Sequence, residues 1–144
     1  MEPTIIYYTD GSKLVRYFNE DGYLHNLYGP AEILYHPNGK VKREYYYVNG
    51  KCHNLYGPAY IWYDPDGKVE GKQYWINDQL HNLNGPAWIW YDPDGKVKRE
   101  DYYVNDKDLT EKAQNIIKTL KIPETSDKWS INDRKRFAEE FKKL

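Results

Sequence analysis

The chain has 144 residues with 21 Lys and Arg against 22 Asp and Glu, so its net charge of −1 points to neither nucleic acid nor an anionic membrane. A single cysteine, Cys52, excludes an internal disulfide, and no stretch approaches the roughly 18 apolar residues of a membrane span. The outlier is aromatic content, 16 Tyr and 5 Trp against 3 Phe, residues whose apolar body and polar tip suit thin layers that stay wet on one side.

Residues 1–22 begin Met-Glu-Pro-Thr, without the basic start and apolar run of an export leader, so the expected setting is cytoplasmic. Tyr7, Asp10-Gly11 and Phe18 lie 28 residues before Tyr35, Asn38-Gly39 and Tyr46, which makes this segment a degenerate half repeat. Solenoids end in atypical units because the terminal one has no neighbour to bury its edge, so 1–22 is expected to be an N-terminal cap.

Residues 23–106 repeat with that same period. His-Asn-Leu-Tyr/Asn-Gly-Pro-Ala recurs at His25 to Ala31, His53 to Ala59 and His81 to Ala87. Each turn leads into an alternating run such as Ala59-Tyr60-Ile61-Trp62-Tyr63, then Asp64-Pro65-Asp66-Gly67, then a second run from Lys68 to Asn77-Asp78. Pro presets φ and Gly takes the left-handed position of a bulged loop, so each unit is expected to be one β-hairpin. Ala31/Ala59/Ala87, Ile33/Ile61/Ile89 and Tyr35/Tyr63/Tyr91 recur unchanged at every second position, joined by Tyr46/Tyr74/Tyr102 and Val48/Ile76/Val104. That constancy marks the buried side.

After Asn105 the pattern stops, and 107–144 is expected to form a helical pair covering the last strand. Asp108-Leu-Thr-Glu111 has the spacing of a capping box before the stripe Leu109, Ala113, Ile116, Ile117 and Leu120, and Pro123 ends it. Ser130-Ile-Asn-Asp133 is a weaker start signal ahead of Phe137, Ala138, Phe141 and Leu144 on one face.

Between the constant columns lie variable ones: Glu32/Tyr60/Trp88, Leu34/Trp62/Trp90 and Tyr47/Trp75/Tyr103. This stripe is expected on the opposite face, and Tyr47, Tyr60, Trp62, Trp75, Trp88, Trp90 and Tyr103 are its candidate binding residues, since Trp and Tyr dominate interface hot spots. The alternative is that the stripe packs under the helices or pairs across strands. Arg134, Lys135 and Arg136 form a candidate dock for an acidic partner, set against a plain solvated helix face. His25, His53 and His81 are read as turn-fixing residues, because no carboxylate or thiol accompanies them at ligand spacing except Cys52 in one copy. Asp64-Pro-Asp66-Gly67 and Asp92-Pro-Asp94-Gly95 lack the further acids of a calcium cage and are read as turns. Aromatics interleaved with basic residues could stack nucleobases, but residues 1–106 hold 11 Lys and Arg against 15 Asp and Glu. No catalytic constellation, phosphate-cradling loop or metal set is found, so neither enzymatic activity nor a cofactor is expected.

At these residues the chain resembles MORN-type repeats (membrane occupation and recognition nexus), in a divergent form whose units carry a His-Asn/Arg-Leu-x-Gly-Pro-Ala turn and a Tyr-x-x-Asn-Gly ending. The resemblance covers about residues 1–106 and implies a mainly β fold, one elongated single-layer antiparallel sheet of stacked hairpins. It also implies binding, since the family shares no catalytic activity. Such arrays occur in bacterial antitoxin-type proteins and in proteins of phages and large DNA viruses. The expected function is therefore a protein-binding module that blocks its partner, acting in the host cytoplasm if viral. Two alternatives stay open: sequestration of a small aromatic-stacking ligand such as a nucleotide or sugar, and self-assembly through an exposed strand edge.

Overall fold

The computed structural model describes residues 1–144, and the protein is mainly β. Eight strands form one antiparallel meander: β1 (Thr4–Tyr7), β2 (Lys13–Arg16), β3 (Glu32–Tyr35), β4 (Val41–Tyr45), then β7 (Tyr60–Tyr63), β8 (Val69–Gln73), β11 (Trp88–Tyr91) and β12 (Val97–Asp101). Their hairpins close as the turn chemistry requires. Gly39, Gly67 and Gly95 have positive φ, and the register slips at Tyr35, Tyr63 and Tyr91, as in a bulged loop.

The second run of each unit is not one strand. It breaks at Tyr46, Tyr74 and Tyr102 and continues into a short hairpin: β5 (Tyr47–Val48) with β6 (Lys51–Cys52), β9 (Trp75–Ile76) with β10 (Gln79–Leu80), and β13 (Tyr103–Val104) with β14 (Lys107–Asp108). The unit is therefore two hairpins, not the expected one. Tyr46 is a pivot between them: its N–H donates to Ala59 in the large sheet, while its C=O accepts from His53 in the short row. Tyr74 does the same with Ala87 and His81. Each short hairpin turns on two residues of positive φ, Asn49-Gly50, Asn77-Asp78 and Asn105-Asp106, the signature of a type I′ turn. The N-terminal segment has a counterpart in the Phe18–Leu24 bridge, so the short row already begins across residue 22.

Neighbouring units are tied along both rows. Asn26, Asn54 and Asn82 donate their N–H groups to the carbonyls of Tyr47, Trp75 and Tyr103 at 3.0, 3.1 and 3.0 Å. Ala31, Ala59 and Ala87 are fully buried where strands flank them on both sides, leaving no room for a larger side chain.

The one compact core lies at the C-terminal end, where Tyr102, Leu109, Ala113, Ile117, Ile122, Trp129, Phe137 and Phe141 pack together. Helix α1 (Thr110–Leu120) and helix α2 (Ile131–Phe141) dock on Tyr102 and Val104, the constant columns, and no residue of the aromatic stripe belongs to this core. The rest of the constant face is less enclosed than expected: Ile33, Ile61, Tyr46 and Tyr74 are only half-buried. A single layer has no second sheet to cover it, and the core packed by the helices includes only the last unit.

The helix start signals rank opposite to expectation. Ser130 and Asp133 form a complete capping box on α2. α1 starts at Leu109 without a side-chain cap, because Thr110 Oγ1 accepts from Tyr102 N–H at 3.0 Å and the Asp108 carboxylate accepts from Thr110 N–H at 2.9 Å. The α2 stripe also stops short, with Leu144 exposed.

Candidate functional site

The repeated turn consumes its own polar atoms. His25 Nδ1 accepts the N–H of Asn49, His53 Nδ1 that of Asn77 and His81 Nδ1 that of Asn105, at 3.0 to 3.1 Å. Each imidazole therefore holds the type I′ turn of its unit's short hairpin. Asn26, Asn54 and Asn82 donate to the carbonyls of Pro30, Pro58 and Pro86 and accept from the backbone N–H two residues on. Asp64 and Asp92 likewise accept two backbone N–H groups within their own turns. No group of three His, Cys, Asp or Glu side chains converges as a metal site would require.

The same turn pushes two side chains outward. Tyr28 and Tyr56 are 98% and 97% exposed, beside exposed Leu27, Leu55 and Leu83. In the third copy Asn84 stands where Tyr would, and its N–H donates to Asn82 Oδ1 at the same 3.0 Å as those of Tyr28 and Tyr56 to their asparagines. The turn thus forms without the tyrosine, whose ring has no structural task. The sequence signal of this ridge is the Tyr/Tyr/Asn variation inside an otherwise constant motif.

The aromatic stripe occupies the opposite face in two rows. Register places Glu32, Tyr45, Tyr60, Gln73, Trp88 and Asp101 in one, and Leu34, Arg43, Trp62, Gly71, Trp90 and Arg99 in the other. The rings lie against each other and the sheet. Tyr45 and Tyr60 stack at 4.1 Å, Tyr60 and Trp62 meet at 4.9 Å, and Trp88 and Trp90 stack at 4.1 Å with the Arg99 guanidinium 5.0 Å from the Trp90 ring. Trp62 lies so close over Gly71 that a Cβ there would stand 2.0 Å from its Cζ2. Trp75 Nε1 donates to Gln73 Oε1, Tyr47 sits 6.0 Å from Tyr45, and Tyr103 is half-buried beside Asp108. All seven candidate aromatics are half-buried by these contacts. Trp88 Nε1 and Arg43 Nε, both on this face, are buried without a hydrogen-bond partner.

The basic trio is divided. Arg134 donates to the Ser126 carbonyl, Arg136 donates to the Leu120 carbonyl and lies 4.0 Å from Asp133, and Lys135 makes neither kind of bond.

Arg134 instead belongs to a groove on the constant face, of about 570 Å³. Its lining includes Lys72, Tyr74, Ile89 and Tyr91 of the sheet, Leu55 and Tyr56 of the ridge, and Ser126 and Arg134 from the C-terminal segment. Burial opposes the charge on Lys72, yet interaction with the Tyr91 hydroxyl and the neighbouring Tyr74 holds its pKa above the ordinary lysine value. Cys52 is inert by contrast: burial, with the Asp78 carboxylate, pushes its thiol up to about 12.

Stacked hairpin units joined edge to edge, with an atypical first unit and a helical end, define a β-hairpin repeat protein. The family model described as MORN repeat variant matches three times, at residues 31–49, 59–77 and 87–105. The chain belongs with the MORN-like repeat proteins, a generally non-enzymatic class of repeat module. Each match runs from the buried alanine to the asparagine of the type I′ turn, so the ridge and the helices lie outside it. No curated protein and no solved structure matches the chain.

Proposed function

We propose that this chain is a protein-binding repeat module that occupies and blocks its partner, in the manner of an inhibitor, an antitoxin or a viral factor acting on a host protein. The observation that carries this reading is the ridge of Leu27-Tyr28, Leu55-Tyr56 and Leu83: exposed apolar side chains repeated in register, of which Tyr28 and Tyr56 are nearly free of contact and not needed by the turn that bears them. Exposed apolar surface that folding does not require is costly to keep without a use, and tyrosine is among the residues that anchor interfaces. Repeat proteins commonly bind through such periodic surfaces.

The test is Tyr28→Asn with Tyr56→Asn, each copying what the third repeat carries. Affinity purification from the native host, quantified by mass spectrometry, is expected to lose the captured partner by about tenfold or more, given the ~2 kcal/mol typical of a hot-spot tyrosine. The thermal midpoint is expected to move by no more than a few degrees, as surface substitutions do. Capture unchanged by the double substitution would remove the ridge from the interface.

A second reading keeps the aromatic stripe as the contact surface, for a protein or a flat small ligand. What favours it is that the two orphaned buried donors, Trp88 Nε1 and Arg43 Nε, both lie there. A nucleotide panel that shifts tryptophan emission, with Trp62→Ala plus Trp90→Ala removing the shift, would support it.

A further inference from the structure

Repeats allow a comparison within one chain. On the constant face, register aligns Ile33, Glu44, Ile61, Lys72, Ile89 and Glu100 in a single row, so the position that is glutamate in the first and third units is lysine in the second. Both glutamates have a structural task. Glu44 accepts from the Tyr63 hydroxyl at 2.8 Å, and Glu100 accepts from Ser126 N–H and from the Tyr102 hydroxyl. Lys72 has no carboxylate within 4.0 Å. It leans instead on the Tyr91 ring, 5.6 Å from the centroid.

The charge reversal coincides with a second cation. Arg134, brought over by α2, lines the same groove, and it too lacks a carboxylate within 4.0 Å. Its charge acts on Lys72 against protonation. Two like charges facing a partly enclosed space repel each other, and an anion placed between them relieves that repulsion and forms charge-assisted hydrogen bonds. Asp127, the single acid in the groove lining, makes no salt bridge and offsets only part of the positive field.

We propose that this groove holds an acidic side chain from an extended segment of the partner protein, its carboxylate between Lys72 and Arg134 and its flanking apolar residues against Leu55 and Tyr56. The assignment rests on the protein-binding reading above. A protein segment is favoured over a free anion because the groove opens directly onto the apolar ridge, which a small phosphate would leave bare. About 570 Å³ accommodates a few side chains, not a folded domain.

The probe is a capped hexapeptide carrying two glutamates with a leucine and a tyrosine, compared with its glutamine counterpart and with inorganic phosphate, by amide chemical-shift titration of the full chain. The glutamate peptide is expected to shift Lys72, Tyr91, Ser126 and Arg134. Its affinity should exceed that of the glutamine peptide by about tenfold or more and weaken at about 0.5 M salt. Lys72→Glu restores the residue that the other two units carry, so the fold is expected to tolerate it while peptide binding is lost. Lys72→Gln and Arg134→Ala, which add no negative charge, should weaken binding in the same direction. Equal binding of the two peptides, or an unaltered affinity in Lys72→Glu, overturns the proposal, as does phosphate shifting these amides where the glutamate peptide does not. Host-partner capture lost in the Tyr28/Tyr56 variant but kept in Lys72→Glu overturns the groove and leaves the ridge standing. Capture unaffected by either variant removes both the ridge and the groove from the interface and overturns the groove proposal, whereas failure of the unaltered chain to capture any partner overturns the protein-binding reading itself.

Discussion

His53 makes one bond that matters for register: its Nδ1 receives the N–H of Asn77, a residue held at φ 48° in the short-hairpin turn. Replacing it with alanine leaves that N–H to water and frees a strained turn, so His53→Ala is expected to cost about 1–2 kcal/mol in chemical denaturation. A cost near zero would mean that the turn holds itself. Gly71 presents the opposite constraint, because Trp62 occupies the space a Cβ needs. Gly71→Ala must lift the indole off the sheet, and the expected outcome is a loss of roughly 1–3 kcal/mol with a shift in tryptophan emission. At Cys52 a thiol with pKa about 12, against 9.0 ordinarily, carries roughly a thousandth of the usual thiolate at pH 8. Alkylation is therefore expected to be far slower in the native chain than after unfolding, and equal rates would contradict its burial. The turn-fixing role of the histidines is legible in the sequence because all three copies agree on it. The outward tyrosines are not, since repetition alone does not say which way a turn residue points.

At the scale of elements, the long hairpins and both helices followed from pattern: alternation in the strands, a 3–4 spacing in the stripe of α1. The short hairpins did not. Asn49-Gly50 is the strongest two-residue hairpin signal in the chain, but the run ahead of it alternates without interruption through Tyr46, and nothing local reveals that this tyrosine divides its N–H and C=O between two rows. That division depends on the next unit, which supplies Ala59. Helix starts failed for a related reason. The Thr110 hydroxyl accepts from the last pivot, Tyr102, and the Asp108 carboxylate accepts the N–H of Thr110, so neither completes a capping box. Ser130, free of such competition, caps α2 fully. Ser130→Ala is expected to cost about 1 kcal/mol by denaturant titration; an effect below the error of the method would mean that the packing of Phe137 and Phe141 alone sets the helix.

Over the whole molecule, burial is lopsided. The aromatic and aliphatic core gathers at the C-terminal end under α1 and α2, whereas every residue of β1 is exposed. In a chain of stacked units each of which contacts mainly its neighbours, local stability should follow that gradient. Amide exchange is expected to be slowest in α1 and α2 around the core and fastest in β1, and uniform exchange would indicate a single cooperative unit. The helices thus close one end of the array and contribute Arg134 to the groove, while the ridge runs along the turns that lie just before each segment of the family match. Where binding occurs is the central question, and tyrosine-selective chemical labelling read by mass spectrometry addresses it most directly. In the free chain Tyr28 and Tyr56 should label first and buried Tyr102 not at all. In the complex with the captured partner, the expected result is protection of Tyr28 and Tyr56; labelling of both as fast as in the free chain would contradict the ridge as the binding surface.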